Sequence, residues 1–168
     1  MEVHGDTLDE VSSSPDTSRM RDTALRLLGR REYSIVEMRR KLVARGFGAP
    51  QVDGVLGGLT DERLLSDERF AESFTRMRIE RGQGPIRIRA ELRERGVPDA
   101  VIDGVTTHTG DFWITCARRV LSRRFGRGAV GLAAGAPISR EEWQRRARFL
   151  AQRGFPSDLI GRALRNDD

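Results

Sequence analysis

Residues 66–97 read SDERFAESFTRMRIERGQGPIRIRAELRERGV, and their pattern decides the fold. Ser66 is a good N-cap, followed by Asp67 and Glu68 in a first turn where the helix dipole favours negative charge. Phe70, Phe74 and Met77 recur at i, i+4, i+7 and make one apolar stripe. Gly82 and Gly84 stop that helix. Pro85 suits the first turn of the next, where its missing N–H would have no helical partner. Ile88 and Leu92 form a second stripe, and Gly96 closes it as a left-handed cap. Between the stripes lie Arg69, Arg76, Arg78, Arg81, Arg87, Arg89, Arg93 and Arg95. The pattern predicts a helical hairpin with core on one side and a guanidinium array on the other.

Working outward, the same unit recurs. MRRKLVARGFGAPQVDGVL begins at Met38, IRAELRERGVPDAVIDGVT at Ile88 and RARFLAQRGFPSDLIGRAL at Arg146. Aligned on Arg-Gly, the glycines are Gly46, Gly96 and Gly154, and the alignment needs no gap. Four residues before each glycine sits Leu42, Leu92 or Leu150. One after sits Phe47, Val97 or Phe155, and six after sits Val52, Ile102 or Ile160. This is an internal repeat of the form helix–Gly–apolar–Pro–helix. A further helix precedes each copy, over about 19–30, 67–81 and 112–125. The fold class is therefore all-α: three tandem three-helix repeat modules, expected in an extended, curved arrangement. Modules this small bury too little surface to be robust alone, so neighbours are expected to stack.

The expected boundaries are 19–65, 66–109 and 110–168, after an acidic tail over 1–18. That tail carries Glu2, Asp6, Asp9, Glu10 and Asp16 with no lysine or arginine, and is expected to be disordered. Ser18 is a possible cap for the first helix. Ser34 and Glu37 form a capping box for the second, whose stripe is Ile35, Met38 and Leu42. Pro50 starts the third, with Val52, Val55, Leu56 and Leu59; Gly54, Gly57 and Gly58 weaken it, so it depends on tertiary packing. In module three a Gly/Ala-rich loop over 126–138 is expected to be mobile. Ser139 and Glu142 repeat the capping box, and Trp143, Ala147 and Leu150 form the stripe. Module three carries Arg146 where the others have Met38 and Ile88, and Trp143 is expected to fill that space.

Composition narrows the function. The chain has 168 residues, a net charge of +5 and a pI near 10.7, which suits a polyanion or an acidic protein surface. Of its 30 basic residues only Lys41 is lysine; arginine forks suit carboxylate and phosphate, and a GC-rich genome gives the same bias. The single cysteine, Cys116, allows no intrachain disulfide and suits a reducing compartment. No apolar run approaches the ~20 residues that span a bilayer, and no signal peptide is legible. A soluble, cytoplasmic protein without membrane contact is expected.

The residues quoted above resemble the RecX family of recombination regulators. The resemblance is carried by ALRLLGRREYS at 24–34, MRRKLVARGF at 38–47 and DERFAESFTRMRIERGQGPIRIRAELRERGV at 67–97, and more loosely by RFLAQRGFPSDLIGRAL at 148–164. It implies an all-helical fold of tandem three-helix repeats. It also implies binding to the RecA filament, with down-regulation of RecA's ATP hydrolysis, strand exchange and co-protease action, and so a place in DNA recombination, repair and the SOS response.

Catalysis finds no support in the residues. His4 lies in the tail, His108 ends module two where a capping or exposed role is expected, and Cys116 lies on an apolar face as a buried thiol. One cysteine and two distant histidines make no zinc pattern, and no phosphate loop is present, so neither metal nor cofactor is expected. The chain is expected not to be an enzyme. The candidate contact residues are Arg76, Arg78, Arg81, Arg87, Arg89 and Arg93, with Arg40 and Lys41 in module one and Arg118, Arg119, Arg123 and Arg124 extending the surface in module three. Arg69 and Arg95 border the stripes and are expected to pair internally. One reading is a monomeric binder along a RecA filament, with weak non-specific DNA contact. The alternative is a helix-turn-helix-like basic DNA-binding protein. Few Asn, Gln and Ser side chains stand on the second and third helices for base readout, which disfavours that alternative.

Overall fold

The computed structural model describes residues 15–126 and 139–165. Residues 1–14 of the acidic tail and 127–138 of the Gly/Ala loop lie outside the described residues. Among those described, all regular structure is helical: α1 (Pro15–Leu28), α2 (Ile35–Val43), α3 (Ala49–Asp61), α4 (Asp67–Glu80), α5 (Pro85–Glu94), α6 (Asp99–Thr106), α7 (Gly110–Phe125), α8 (Arg140–Gln152) and α9 (Ser157–Leu164). The described residues fall into two compact units, one running to Phe70 and including Arg95–Val97, the other made of Ala71–Glu94 and the described residues from Pro98 onward.

In the first unit α1, α2 and α3 pack on one another around Met20, Ala24, Met38, Leu42, Val52, Leu56 and Leu59. Met20 and Ala24 come from α1, and the rest are stripe residues of α2 and α3, about one turn apart on each helix, so the 3.6-residue period closes a shared core. Ser18 does not cap α1, which starts earlier: Pro15 fits a first turn, and Asp16 faces the positive end of the dipole. Ser34 caps α2, its Oγ accepting from the Glu37 N–H at 3.0 Å. The same hydroxyl donates to the Arg95 carbonyl at 2.6 Å, which ties the turn 95–97 to the start of α2. Gly96 there has φ +77°, and a Cβ on it would stand 2.6 Å from the Cβ of Val36. Only glycine satisfies both the left-handed backbone and that approach. Asp67 completes the seam by accepting the Ile35 N–H at 2.9 Å. Burial pushes its carboxyl above the ordinary aspartate range, against the pull of that N–H.

The second unit repeats the seam. The Gly84 N–H donates to the Arg153 carbonyl at 2.7 Å and the Ile86 N–H to the Gly154 carbonyl at 3.0 Å. In the repeat, Gly84 stands where Ser34 does and Arg153 where Arg95 does. Gly154 has φ +86°, and a Cβ on it would lie 2.5 Å from the Arg87 Cβ. The buried apolar residues of this unit include Phe74, Ile88, Leu92, Ile102, Trp113, Leu121, Leu150, Phe155 and Ile160. Met77, read as part of the α4 stripe, is half-buried. α7 begins at Gly110, two residues before the expected start, because Thr109 caps it by accepting from the Phe112 N–H at 3.3 Å.

Module three departs from expectation at Trp143. The indole does not fill the space of Met38 and Ile88; it is exposed. Arg146 occupies its own position, half-buried, with Nε 2.7 Å from Glu142 and its guanidinium over the Phe125 ring. Phe125 and Phe149 pack edge to face at 5.3 Å beside it. α8 also starts one turn earlier, relative to the repeat, than α2 and α5 do. Its cap, Ser139, accepts from the Glu142 N–H at 3.2 Å.

Gly154→Ala is expected to lose roughly 2 kcal/mol or more of unfolding free energy, because it strains a left-handed residue and pushes on Arg87; urea denaturation reads this. For Asp67, a carboxyl pKa raised on folding means that the native state holds its proton more tightly than the unfolded state. Stability is therefore fullest below the ordinary aspartate pKa and falls as pH rises through the folded-state value. Asp67→Asn keeps the Ile35 bond and is expected to abolish that fall, so its stability relative to the native chain rises as pH climbs above the ordinary aspartate pKa of about 4.

Candidate functional site

The central hairpin carries most of the candidate arginines. Arg76 and Arg78 stand on α4, Arg81 in the turn after it, and Arg87, Arg89 and Arg93 on α5. The structure brings Arg78 and Arg87 to one carboxylate. Arg78 Nη2 lies 2.6 Å from Glu91 Oε2, and Arg87 Nε 3.0 Å from Glu91 Oε1. The Arg78 and Glu91 side chains are only 17% and 15% exposed, and the Arg78 guanidinium also lies over the Phe74 ring at 4.6 Å. A pair this sheltered feels less solvent screening than a surface one. Arg89 donates to Thr106 Oγ1 at 2.8 Å and pairs with Asp103, which fixes α5 to α6. Arg93 pairs with Asp99 at 2.7 Å, both side chains exposed.

Two of the set point outward without an intramolecular partner among the described residues: the side chains of Arg76 and Arg81 are exposed. The backbone carbonyl of Arg81 accepts from Arg153 Nη1 at 3.3 Å. In the first unit Arg40 is exposed, and the Lys41 ammonium stands 5.6 Å from the Tyr33 ring centre, with the Arg31 guanidinium at 3.7 Å. Arg69 reaches Glu32 at 3.0 Å and donates to the Arg63 and Leu64 carbonyls. Arg95 pairs with Glu37 at 3.5 Å.

A second job for arginine is not legible in the sequence. Arg123 donates to the Glu80 carbonyl at the end of α4, and Arg118 to the Arg165 carbonyl just past α9. Arg69 and Arg153 do the same after α3 and α4. Cations on the last carbonyls of helices offset both unsatisfied acceptors and the negative dipole end. For Arg118, Arg123 and Arg153 the partners lie tens of residues apart, so no local pattern announces them. By contrast, the i, i+4 spacing of Arg87 and Glu91 is readable at once.

The remaining reactive groups are few. His108 is exposed and stacks on Phe112, with centroids 4.3 Å apart. Cys116 is buried, and burial pushes its thiol up while the nearby Arg119 pulls it down. Among the described residues no group of His, Cys, Asp and Glu is arranged to hold a metal ion, and no helix is long and apolar enough to cross a membrane.

The helical units carry a family signature over their whole length. Family models described as the first, second and third three-helix domains of RecX match residues 21–59, 66–105 and 115–164. The chain belongs to the RecX family of regulatory proteins. The regulatory protein RecX of Halorhodospira halophila is 49% identical over 141 residues, covering 84% of this chain and 83% of that protein. That of Pseudomonas savastanoi pv. phaseolicola is 40% identical over 145 residues, covering 86% and 89%. The crystal structure of RecX from Lactobacillus salivarius superposes with a TM-score of 0.74 at 20% identity, over 88% of this chain and 94% of that one, which shows the shared RecX fold.

The two kinds of arginine in this RecX chain are separable by stability. Arg78→Ala removes the sheltered Glu91 pair and the Phe74 contact and is expected to cost about 1–2 kcal/mol, while Arg81→Ala is expected to stay within about 0.5 kcal/mol. Chemical denaturation of both variants checks the difference.

Proposed function

We propose that this chain binds the RecA nucleoprotein filament and lowers RecA's ATP hydrolysis, strand exchange and co-protease action. The reading is carried by one observation: 49% identity to a regulatory protein RecX across 84% of the chain. It acts as a monomer in the cytoplasm, as a binder and not a catalyst, in DNA repair and the SOS response. Its successive modules contact successive RecA subunits and hinder the subunit motion that accompanies ATP turnover. Each module adds a modest contact, and covalent linkage raises the effective concentration of the next.

Arg76, Arg81 and Arg93 are the contact residues this reading favours in the second unit, with exposed Arg40 and half-buried Lys41 in the first. Arg76 and Arg81 have no carboxylate partner among the described residues to give up. Arg93 and its partner Asp99 are both exposed, so exchanging Asp99 for an acidic group on RecA costs little. Arg78, Arg87 and Arg89 contribute from the inside, holding α5 in place against Glu91 and Asp103. Weak, sequence-independent contact with the DNA in the filament accompanies binding.

The test is RecA's ATPase on single-stranded DNA, titrated with this protein. Inhibition is expected well below one chain per RecA. Arg81→Glu combined with Arg93→Glu is expected to raise the half-inhibiting concentration about tenfold or more, with an unchanged helical circular-dichroism spectrum. No inhibition at stoichiometric wild-type protein would falsify the reading. Sequence-selective duplex binding without RecA would favour a DNA reader instead.

A further inference from the structure

The second unit contains a cavity of about 570 Å³ between α4 and α7, with the end of α6 in its lining. One wall is a single face of α4, with Glu72, Thr75, Arg76, Ile79 and Glu80 one turn apart. The other is a single face of α7, with Phe112, Thr115, Cys116 and Arg119 at the same spacing. A groove with two helical walls has the form that receives a third helix.

Two observations say what would lie there. Thr75 is 4% exposed, lines the groove, and its Oγ1 has no partner among the described residues. A helical threonine ordinarily bonds the carbonyl one turn back, as Thr106 does to Ile102 at 2.6 Å. Thr75 leaves a buried hydroxyl for something outside the chain. The second observation is the order of charge. Glu72, Arg76 and Glu80 alternate in sign along one wall, and none of their side chains is ion-paired among the described residues. Opposite, on α7, Arg119 reaches only the sulfur of Cys116 among the described residues, at 3.8 Å. Alternating carboxylates and guanidinium repel a polyanion or a lipid headgroup at every second position. They match a helix whose flanks carry the complementary charges at i, i+4 spacing.

We infer that this groove docks one amphipathic helix of a protein partner. Its apolar side chains lie against Ile79, Val105 and Phe112, a polar side chain meets the Thr75 hydroxyl, and its flanking charges pair with Glu72, Arg76, Glu80 and Arg119. The inference rests on the regulatory reading above and names the kind of element that the protein grips on the RecA filament.

Gly104 supplies the test. It lines the groove from α6, and a Cβ on it would meet nothing within 4 Å, so a side chain enters open space and improves helix propensity. Gly54 holds the same repeat position on α3, also with nothing within 4 Å, and lines no part of this groove. Gly104→Leu and Gly54→Leu are each melted thermally and titrated into the RecA ATPase on single-stranded DNA. Both are expected to keep the wild-type melting temperature or exceed it. Gly104→Leu is expected to need about tenfold more protein for half inhibition, and Gly54→Leu less than about twofold more. If Gly104→Leu fails to fold, Thr115→Arg on the α7 lip carries the same test with the same expected loss. A groove-filled variant that inhibits as well as wild type overturns the groove and leaves the regulatory reading standing. Wild-type protein without any inhibition sinks both. A groove-filled variant that loses affinity for single-stranded DNA in the absence of RecA assigns the groove to nucleic acid and overturns the protein-helix docking.

Discussion

Two backbone carbonyls, those of Arg95 and Arg153, hold the repeats to what precedes them. Each accepts one hydrogen bond from the residue just before a second-position helix: the Ser34 hydroxyl in one case, the Gly84 N–H in the other. The glycine that follows each carbonyl lies close enough to that helix to exclude any side chain. Everything else about the spacing follows. The apolar residue after the glycine is buried, as Val97 and Phe155 are, and the next helix starts two or three residues later. A small helical module has too little interior of its own. A short backbone contact between consecutive repeats supplies order that side-chain burial alone does not.

The arginines then divide by what surrounds them rather than by where they fall in the hairpin. Some grip a carboxylate in partial shelter, as Arg78 does Glu91. Others close the ends of helices by donating to free carbonyls, as Arg118 and Arg123 do. What is left over, with Arg76 and Arg81 foremost, faces water. A planar fork with five donors meets two carbonyls or both oxygens of a carboxylate in one fixed geometry, which the compact, three-donor ammonium does not offer. The near-absence of lysine therefore has a structural use here, whatever its origin in codon choice.

The amphipathic periods and the repeat offset made the helices and the core legible in advance. Met38, Leu42, Ile88, Leu92 and Leu150 are all fully buried. Helix starts were less legible: Ser18, the cap read for the first helix, is not used, and Thr109 starts α7 two residues before the start read from the period. Trp143 stands at the i, i+4, i+7 spacing of Ala147 and Leu150, yet it is exposed. The Phe125–Phe149 pair depends on contacts 24 residues apart that no local period encodes. The seams were invisible for the same reason. Gly96 reads as a helix stop, and nothing near it says that Val36 is why no larger residue fits.

The early start of α8 has a topological consequence. Where Ser34 and Gly84 receive the following repeat, module three has Glu142, already inside a helix, with its N–H taken by Ser139 and its carboxylate by Arg145 and Arg146. At this position the third module presents a helix that is already capped and ion-paired, where the first two modules present the residue just before a helix.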